Sequence, residues 1–168
     1  MWYAVQIHTG EEKNTIKMCE SLLDTDMLKH IYSPEIEVMK RYRGSWHRLN
    51  KPLFPGYLFM ETEDVNMLFL MLKLIPKLTK VLGTDMDFVP LQEAEVEMLD
   101  RMLDQEKVLR LSSGIMVGDQ LEITAGPLMG MEGMVKKIDR HKRIAILEVP
   151  MFGRVVETTV GLEIVVKR

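Results

Sequence analysis

The sequence predicts an α+β domain over residues 1–104, a linker over 105–116 and a small closed β-barrel over 117–168. Three observations predict this. Before residue 104 the apolar side chains change repeatedly between strand spacing and helix spacing. Between Gln105 and Met116 both periodicities stop, and Ser112-Ser113-Gly114 reads as a break. Beyond it only short β-rich runs remain, separated by Gly and Pro turns. A chain of 168 residues is long enough for two small domains.

Trp2 to Ile7 is rich in β-favouring side chains and predicts the first strand. Thr9 or Gly10 can cap the helix that follows, where Ile16, Cys19, Leu22 and Leu23 recur at helical spacing. Leu28 to Tyr32 predicts a short strand before Ser33-Pro34. Ile36 to Arg41 and Trp46 to Leu49 flank Arg43-Gly44-Ser45 and predict a β-hairpin with glycine at its turn. Tyr57 to Met60 is apolar on both faces, as an internal strand is. Asp64 can cap an apolar helix running to Leu74, which Pro76 limits. Thr79 to Leu82 reads as a strand ending at Gly83. Phe88-Val89-Pro90 leads into a last helix with Leu91, Ala94, Met98, Leu99, Met102 and Leu103 on its apolar side. Helices on a mainly antiparallel sheet follow.

After the linker the expected strands are Asp119 to Thr124, Glu132 to Asp139, Ile144 to Val149, Arg154 to Thr159 and Ile164 to Lys167. Gly126-Pro127, Arg140-His141-Lys142, Met151-Phe152-Gly153 and Gly161 separate them. Five short strands in so few residues predict a small barrel with a small core.

Composition narrows the function. Hydrophobic residues make up 46% and charged residues 28%, which fits a folded chain rather than a disordered one. The 15 methionines read as core filler. The single cysteine, Cys19, excludes an internal disulfide and a multi-cysteine zinc site, and its helical setting reads as a buried, inert thiol. No basic start or long apolar stretch is visible at Met1-Trp2-Tyr3, and the run Met67 to Ile75 is too short for a bilayer, so a cytoplasmic protein with no membrane contact is expected. The net charge of −3 hides an asymmetry: residues 107–168 carry 10 basic and 7 acidic side chains, and residues 1–106 carry 12 and 18. A basic C-terminal part fits a polyanionic partner. His8, His30, His47 and His141 are scattered, and no metal, nucleophile-elbow or phosphate-loop motif is present. No catalytic residue, metal or cofactor is expected.

Two segments carry a family resemblance. Leu53-Phe54-Pro55-Gly56-Tyr57-Leu58-Phe59 resembles the aromatic-Pro-Gly-Tyr signature of the N-terminal NGN domain of NusG transcription factors, and Trp2-Tyr3 is similar to that domain's first strand. Ile75 to Gly83 resembles its next signature. Val117 to Asp139, which contains Gly126, Gly130 and Gly133, resembles a KOW motif, continued by Val149 to Arg154. The resemblance implies an NGN domain at 1–104 with an antiparallel sheet flanked by helices, and an SH3-like KOW barrel at 117–168.

It also implies sites. In this family the NGN domain docks the coiled-coil clamp helices of RNA polymerase, and the matching residues are Trp2, Tyr3, Phe54, Pro55 and Tyr57. Aromatic side chains supply large contact area with few torsions to freeze. The hairpin cations Lys40, Arg41, Arg43 and Arg48 stand among Tyr42, Trp46, His47 and Lys51, with no acidic residue from Val38 to Phe59. Interleaved aromatics and cations suit nucleic acid, and the docked family geometry sets this hairpin near upstream DNA. In the barrel, Lys136, Lys137, Arg140, His141, Lys142 and Arg143 cluster about one turn, with Arg154 nearby, and nascent RNA is their expected ligand. General members grip a ribosomal protein or termination factor with an aromatic at the glycine-rich loop; Met131 takes that place here, and Phe152 is a second expected contact. The Ser/Thr-rich patch that some members carry on the second helix is replaced by Met67-Leu68-Phe69-Leu70-Met71. These departures predict an operon-specific antiterminator of the LoaP type, and a monomer is expected. The alternatives are a general housekeeping factor and a ribosome-associated KOW protein, and the acidic net charge and the Phe54 segment disfavour the latter.

Overall fold

The computed structural model describes residues 1–78 and 87–165. The strand expected over Thr79 to Leu82 and the terminal Lys167-Arg168 lie outside them. The chain divides into two compact units, one of Met1–Ser33 with Phe54–Val96 and the other of Pro34–Leu53 with Glu97–Arg168. The fold is mixed α+β, as expected.

The first unit is a four-stranded sheet in the order β2-β5-β1-β6. Its strands are β1 (Trp2–Gln6), β2 (His30–Tyr32), β5 (Tyr57–Glu61) and β6 (Phe88–Pro90), and every pairing is antiparallel. β5 is internal, which explains its apolar character on both faces. Helices α1 (Glu12–Leu22) and α2 (Val65–Leu74) supply Cys19, Leu68 and Leu72 to a core shared with Val5, Leu58 and Met60. Asp64 caps α2 as expected, its Oδ1 accepting from the Met67 amide at 3.0 Å. The cap of α1 differs from expectation. Neither Thr9 nor Gly10 does the work; the buried Glu12 carboxylate accepts the Gly10 N–H at 3.0 Å and the Gly56 N–H at 2.8 Å. Burial pushes the Cys19 thiol up to about 12, with Glu20 adding to it, so this thiol stays protonated and unreactive.

The second unit opens with the expected hairpin, β3 (Glu35–Tyr42) and β4 (Ser45–Pro52). Arg43 and Gly44 both have positive φ, 50° and 78°, the two-residue geometry that matches strand twist. The stretch expected as a linker is not one throughout. It carries β7 (Val108–Leu109), which pairs in parallel with β3, and β8 (Ser112–Val117). Val108, Leu109 and Ser112 are buried, and partners distant in the chain supply a pairing that local periodicity does not reveal. A short helix, α3 (Glu93–Met102), precedes them.

The remaining strands are β9 (Gln120–Ala125), β10 (Val135–Asp139), β11 (Ile144–Met151) and β12 (Arg154–Ile164), in a five-stranded sheet ordered β10-β11-β12-β8-β9. The membership differs from expectation, because β8 joins the sheet and β12 runs on through Gly161 to Ile164, the first residue of the last expected strand. Glu132, in a short 3-10 turn before β10, accepts the Ile123 N–H at 3.0 Å. That bond ties β9 to the turn that precedes β10. Backbone N–H donors, its own and then that of Ile123, hold the Glu132 carboxyl below its usual range.

Gly161 does not break β12 as expected. A Cβ there would lie 2.4 Å from the Glu37 carbonyl oxygen and 2.7 Å from the Leu111 side chain, so glycine permits β12 to approach β3. Around that approach Glu37 accepts from the Leu111 N–H and the Arg110 guanidinium, both at 3.1 Å, while Arg110 also reaches Asp104 at 2.6 Å and Glu106 at 3.0 Å. Burial opposes ionisation of Asp104, but the Val108 and Glu106 amides and Arg110 outweigh it and hold its pKa below the ordinary value. Gly161→Ala is expected to destabilise this unit by about 1–3 kcal/mol, as overpacking against backbone does. Urea unfolding checks this; a loss under about 0.5 kcal/mol contradicts the close approach.

Candidate functional site

Strand parity sorts the expected aromatic residues of the first unit. Successive side chains of β1 leave opposite faces of the sheet. Tyr3 lies on the face that carries Val5, Leu58 and Met60, and its ring meets Phe88 edge-on at 6.3 Å. Trp2 lies on the other face, with Ala4, Phe59 and Tyr57. There it stacks on His30 at 6.3 Å and meets Tyr32 edge-on at 5.3 Å. The rings continue inward from Tyr32 to Phe59 at 5.5 Å and from Phe59 to Phe54 at 6.0 Å.

Trp2 and Tyr57 therefore share one sheet face, Pro55 lies in the turn that precedes Tyr57, and Phe54 and Tyr3 do not sit as expected. Trp2 and Tyr57 are half-buried and Pro55 is exposed. Phe54 is 3% exposed, a correction to its expected role as an outward contact. The Tyr57 N–H donates to the Phe54 carbonyl at 3.1 Å, and Gly56 is held by Glu12. That tight turn points the Phe54 ring inward onto Phe59 and leaves Pro55 outside. Tyr3 belongs with the helix-side packing. Tyr32 and His30 complete the aromatic face and were not anticipated; their β2–β5 pairing, Tyr32 with Phe59, was the missing signal.

The basic hairpin splits in the same way. Lys40 pairs with His47 and Val38 with Leu49 on one face; Arg41 pairs with Trp46 and Met39 with Arg48 on the other. Arg43 sits in the turn, its guanidinium 5.3 Å from the Tyr42 ring centroid. Lys40, Arg41, Arg43 and Arg48 are all exposed.

In the β10–β11 region, Arg140, His141 and Lys142 are exposed. Lys136 is not a free cation. It forms an ion pair with Glu157 and lies 3.9 Å from Glu148, and the Glu157 hydrogen bond raises its pKa. It also falls where the β10–β11 register shifts, between Val135 and Lys137. Lys137 is exposed. Arg143 is held by Glu163 at 3.5 Å and lies over Trp46 at 4.0 Å from the ring centroid. Arg154 is exposed at the start of β12. Met131, expected as an exposed contact, is 6% exposed; its N–H donates to Leu128 and its side chain turns into the loop. Met129, 57% exposed, is the apolar residue that this loop presents. Phe152 is half-buried in the β11–β12 turn. Among the described residues no group of three or more His, Cys, Asp or Glu is placed to hold a metal ion, and no helix is long and apolar enough to cross a membrane.

A family model described as transcription termination factor NusG matches residues 1–100. The chain belongs to the NusG family. The transcription termination/antitermination protein NusG of Staphylococcus carnosus is 31% identical over 170 residues, covering 96% of this chain and 91% of that protein. Its counterpart in Thermus thermophilus is 29% identical, covering 96% and 94%. A solved structure of Thermotoga maritima NusG, described as showing a domain interaction, shares the fold with a TM-score of 0.52 at 21% identity, covering 96% of this chain and 92% of that one. The chain is thus a NusG-type transcription termination/antitermination factor. The NusG family model covers both the Trp2 strand and the Pro55–Gly56 turn.

Proposed function

We propose that this chain is an operon-specific antitermination factor that docks RNA polymerase through the aromatic sheet face and grips nascent RNA through the β10–β11 turn. The observation that carries the docking half is the half-exposed row of Trp2, Tyr32 and Tyr57, with Pro55 at its margin. Such a row, backed by the buried Phe54 and Phe59, is a rigid apolar seat for a helical partner. Lys40, His47 and Lys51, on one hairpin face, suit contact with upstream DNA phosphates. The functional segments are 1–104 for polymerase and 117–168 for RNA.

Operon specificity is supported by the barrel. Its loop buries Met131 in place of an aromatic anchor, while Arg140 and Lys142 stand exposed. A housekeeping factor gripping a ribosomal protein is the second reading, and the exposed Met129 with Phe152 would be its contact. In either case, a ligand that binds better to the elongating polymerase than to the paused one shifts that balance. In vitro transcription across intrinsic terminators separates the readings. Read-through is expected to rise on a template carrying a candidate leader segment and not on a leaderless one. Equal effects on both would favour the housekeeping factor.

A further inference from the structure

The hairpin and the β10–β11 turn, read separately as contacts to DNA and RNA, meet in the second unit. The Arg143 guanidinium lies 4.0 Å from the centroid of the Trp46 ring. Arg41 is directly opposite Trp46, and Arg48 is two residues along the same strand, so both share its face. On the other side of Arg143 in sequence stand the exposed Arg140, His141 and Lys142. Among the described residues, no ion pair engages the side chains of Arg41, Arg48, Arg140 or Lys142.

Arg143 itself is held from three directions. Its backbone takes a positive φ of 55° and its carbonyl accepts the Leu162 N–H at 3.0 Å. Its guanidinium is paired with Glu163 at 3.5 Å and stacked on Trp46. A guanidinium fixed in this way loses little freedom when it stacks on a base or forks to an acceptor. It also lines a basin of about 450 Å³ with Arg140, His141, Glu163 and Ile164. That volume falls in the range of about 300–1,000 Å³ typical of small-ligand sites. Glu163 adds an acceptor for a base amino group at a site otherwise rich in donors.

We infer that hairpin and turn form one seat for a single-stranded polynucleotide. The basin takes one unpaired base against Arg143. Arg41 and Arg48 follow the phosphates on the hairpin side, and Arg140 and Lys142 follow them on the barrel side. Gathering like charges around one indole is unfavourable in the absence of a polyanion and is relieved by its phosphates. Stacking on a flat, clamped side chain favours an unpaired strand over a duplex. The inference rests on the reading of the β10–β11 turn as a nucleic-acid contact and extends it to the hairpin.

The test uses the full chain and a labelled, unstructured, mixed-sequence RNA of about ten nucleotides, with same-sequence DNA and a duplex RNA in parallel. Fluorescence anisotropy is read across a salt series for the parent, Arg41→Ala/Arg48→Ala and Arg140→Ala/Lys142→Ala. All four positions are exposed, so the variants keep the fold. One strand is expected to bind per chain. Each double variant is expected to weaken binding about tenfold at low salt and to lower the salt slope by about 1.4, two contacts at about 0.7 each. Preference for RNA assigns the transcript and preference for DNA assigns an unpaired DNA strand; either supports the joint seat. A hairpin variant with unchanged affinity and slope, beside a weakened turn variant, overturns the joint seat and leaves the turn reading standing. No binding by the parent overturns both. Tighter binding of duplex than of single strand also overturns the joint seat.

Discussion

Trp2→Ala is expected to weaken binding to RNA polymerase by about 30- to 300-fold, the range of a well-packed tryptophan hot spot. The ring is half-buried and flanked by His30 and Tyr32. Because it is not sealed in the core, the fold should survive its loss. Tyr3→Ala is the control. Tyr3 lies on the helix-side face beside Phe88, so its loss should lower stability more than it lowers affinity. Pull-down or anisotropy with core polymerase, read beside thermal melts of both variants, checks the contrast. Equal affinity losses for both would mean that the sheet face does not sort the residues as described.

Phe59→Ala is expected to cost the first unit about 3–5 kcal/mol, through lost transfer free energy and the cavity left behind. Phe59 is fully buried on the internal strand, where it meets Tyr32 and Phe54 edge-on. A loss of that size is a large part of the about 5–15 kcal/mol that holds a domain folded. Trp2 and Tyr57 should then lose their fixed backing, so polymerase affinity falls with stability. Phe59→Leu keeps most of the volume and should cost less than half as much. Urea unfolding followed by circular dichroism measures both; a Phe59→Ala loss below about 1 kcal/mol contradicts this packing.

Much of the fold was legible because local signals and pairing agree. Arg43-Gly44 predicts its hairpin, Asp64 caps its helix, and the doubly apolar Tyr57 to Met60 becomes an internal strand. What was missed depends on partners distant in the chain. Val108 and Leu109 look like linker until Glu35 and Ile36 pair with them. Gly161 looks like a corner until the Glu37 backbone passes beside it. Phe54 looks like an outward ring between two prolines, but Glu12 and Tyr57 fix the turn that points it inward. Met131 is drawn into its loop, leaving Met129 outside. Tyr3 is a different case, since alternation along β1 already separates it from Trp2.

The sheet face around Trp2 and Tyr57 is the proposed seat for the polymerase. A photoreactive benzoylphenylalanine in place of Tyr57, irradiated in the elongation complex, tests it most directly. A crosslink to the coiled-coil clamp helices is expected, and Trp2→Ala is expected to abolish it. Crosslinking to another region of the polymerase, or a clamp crosslink that Trp2→Ala leaves untouched, would contradict it.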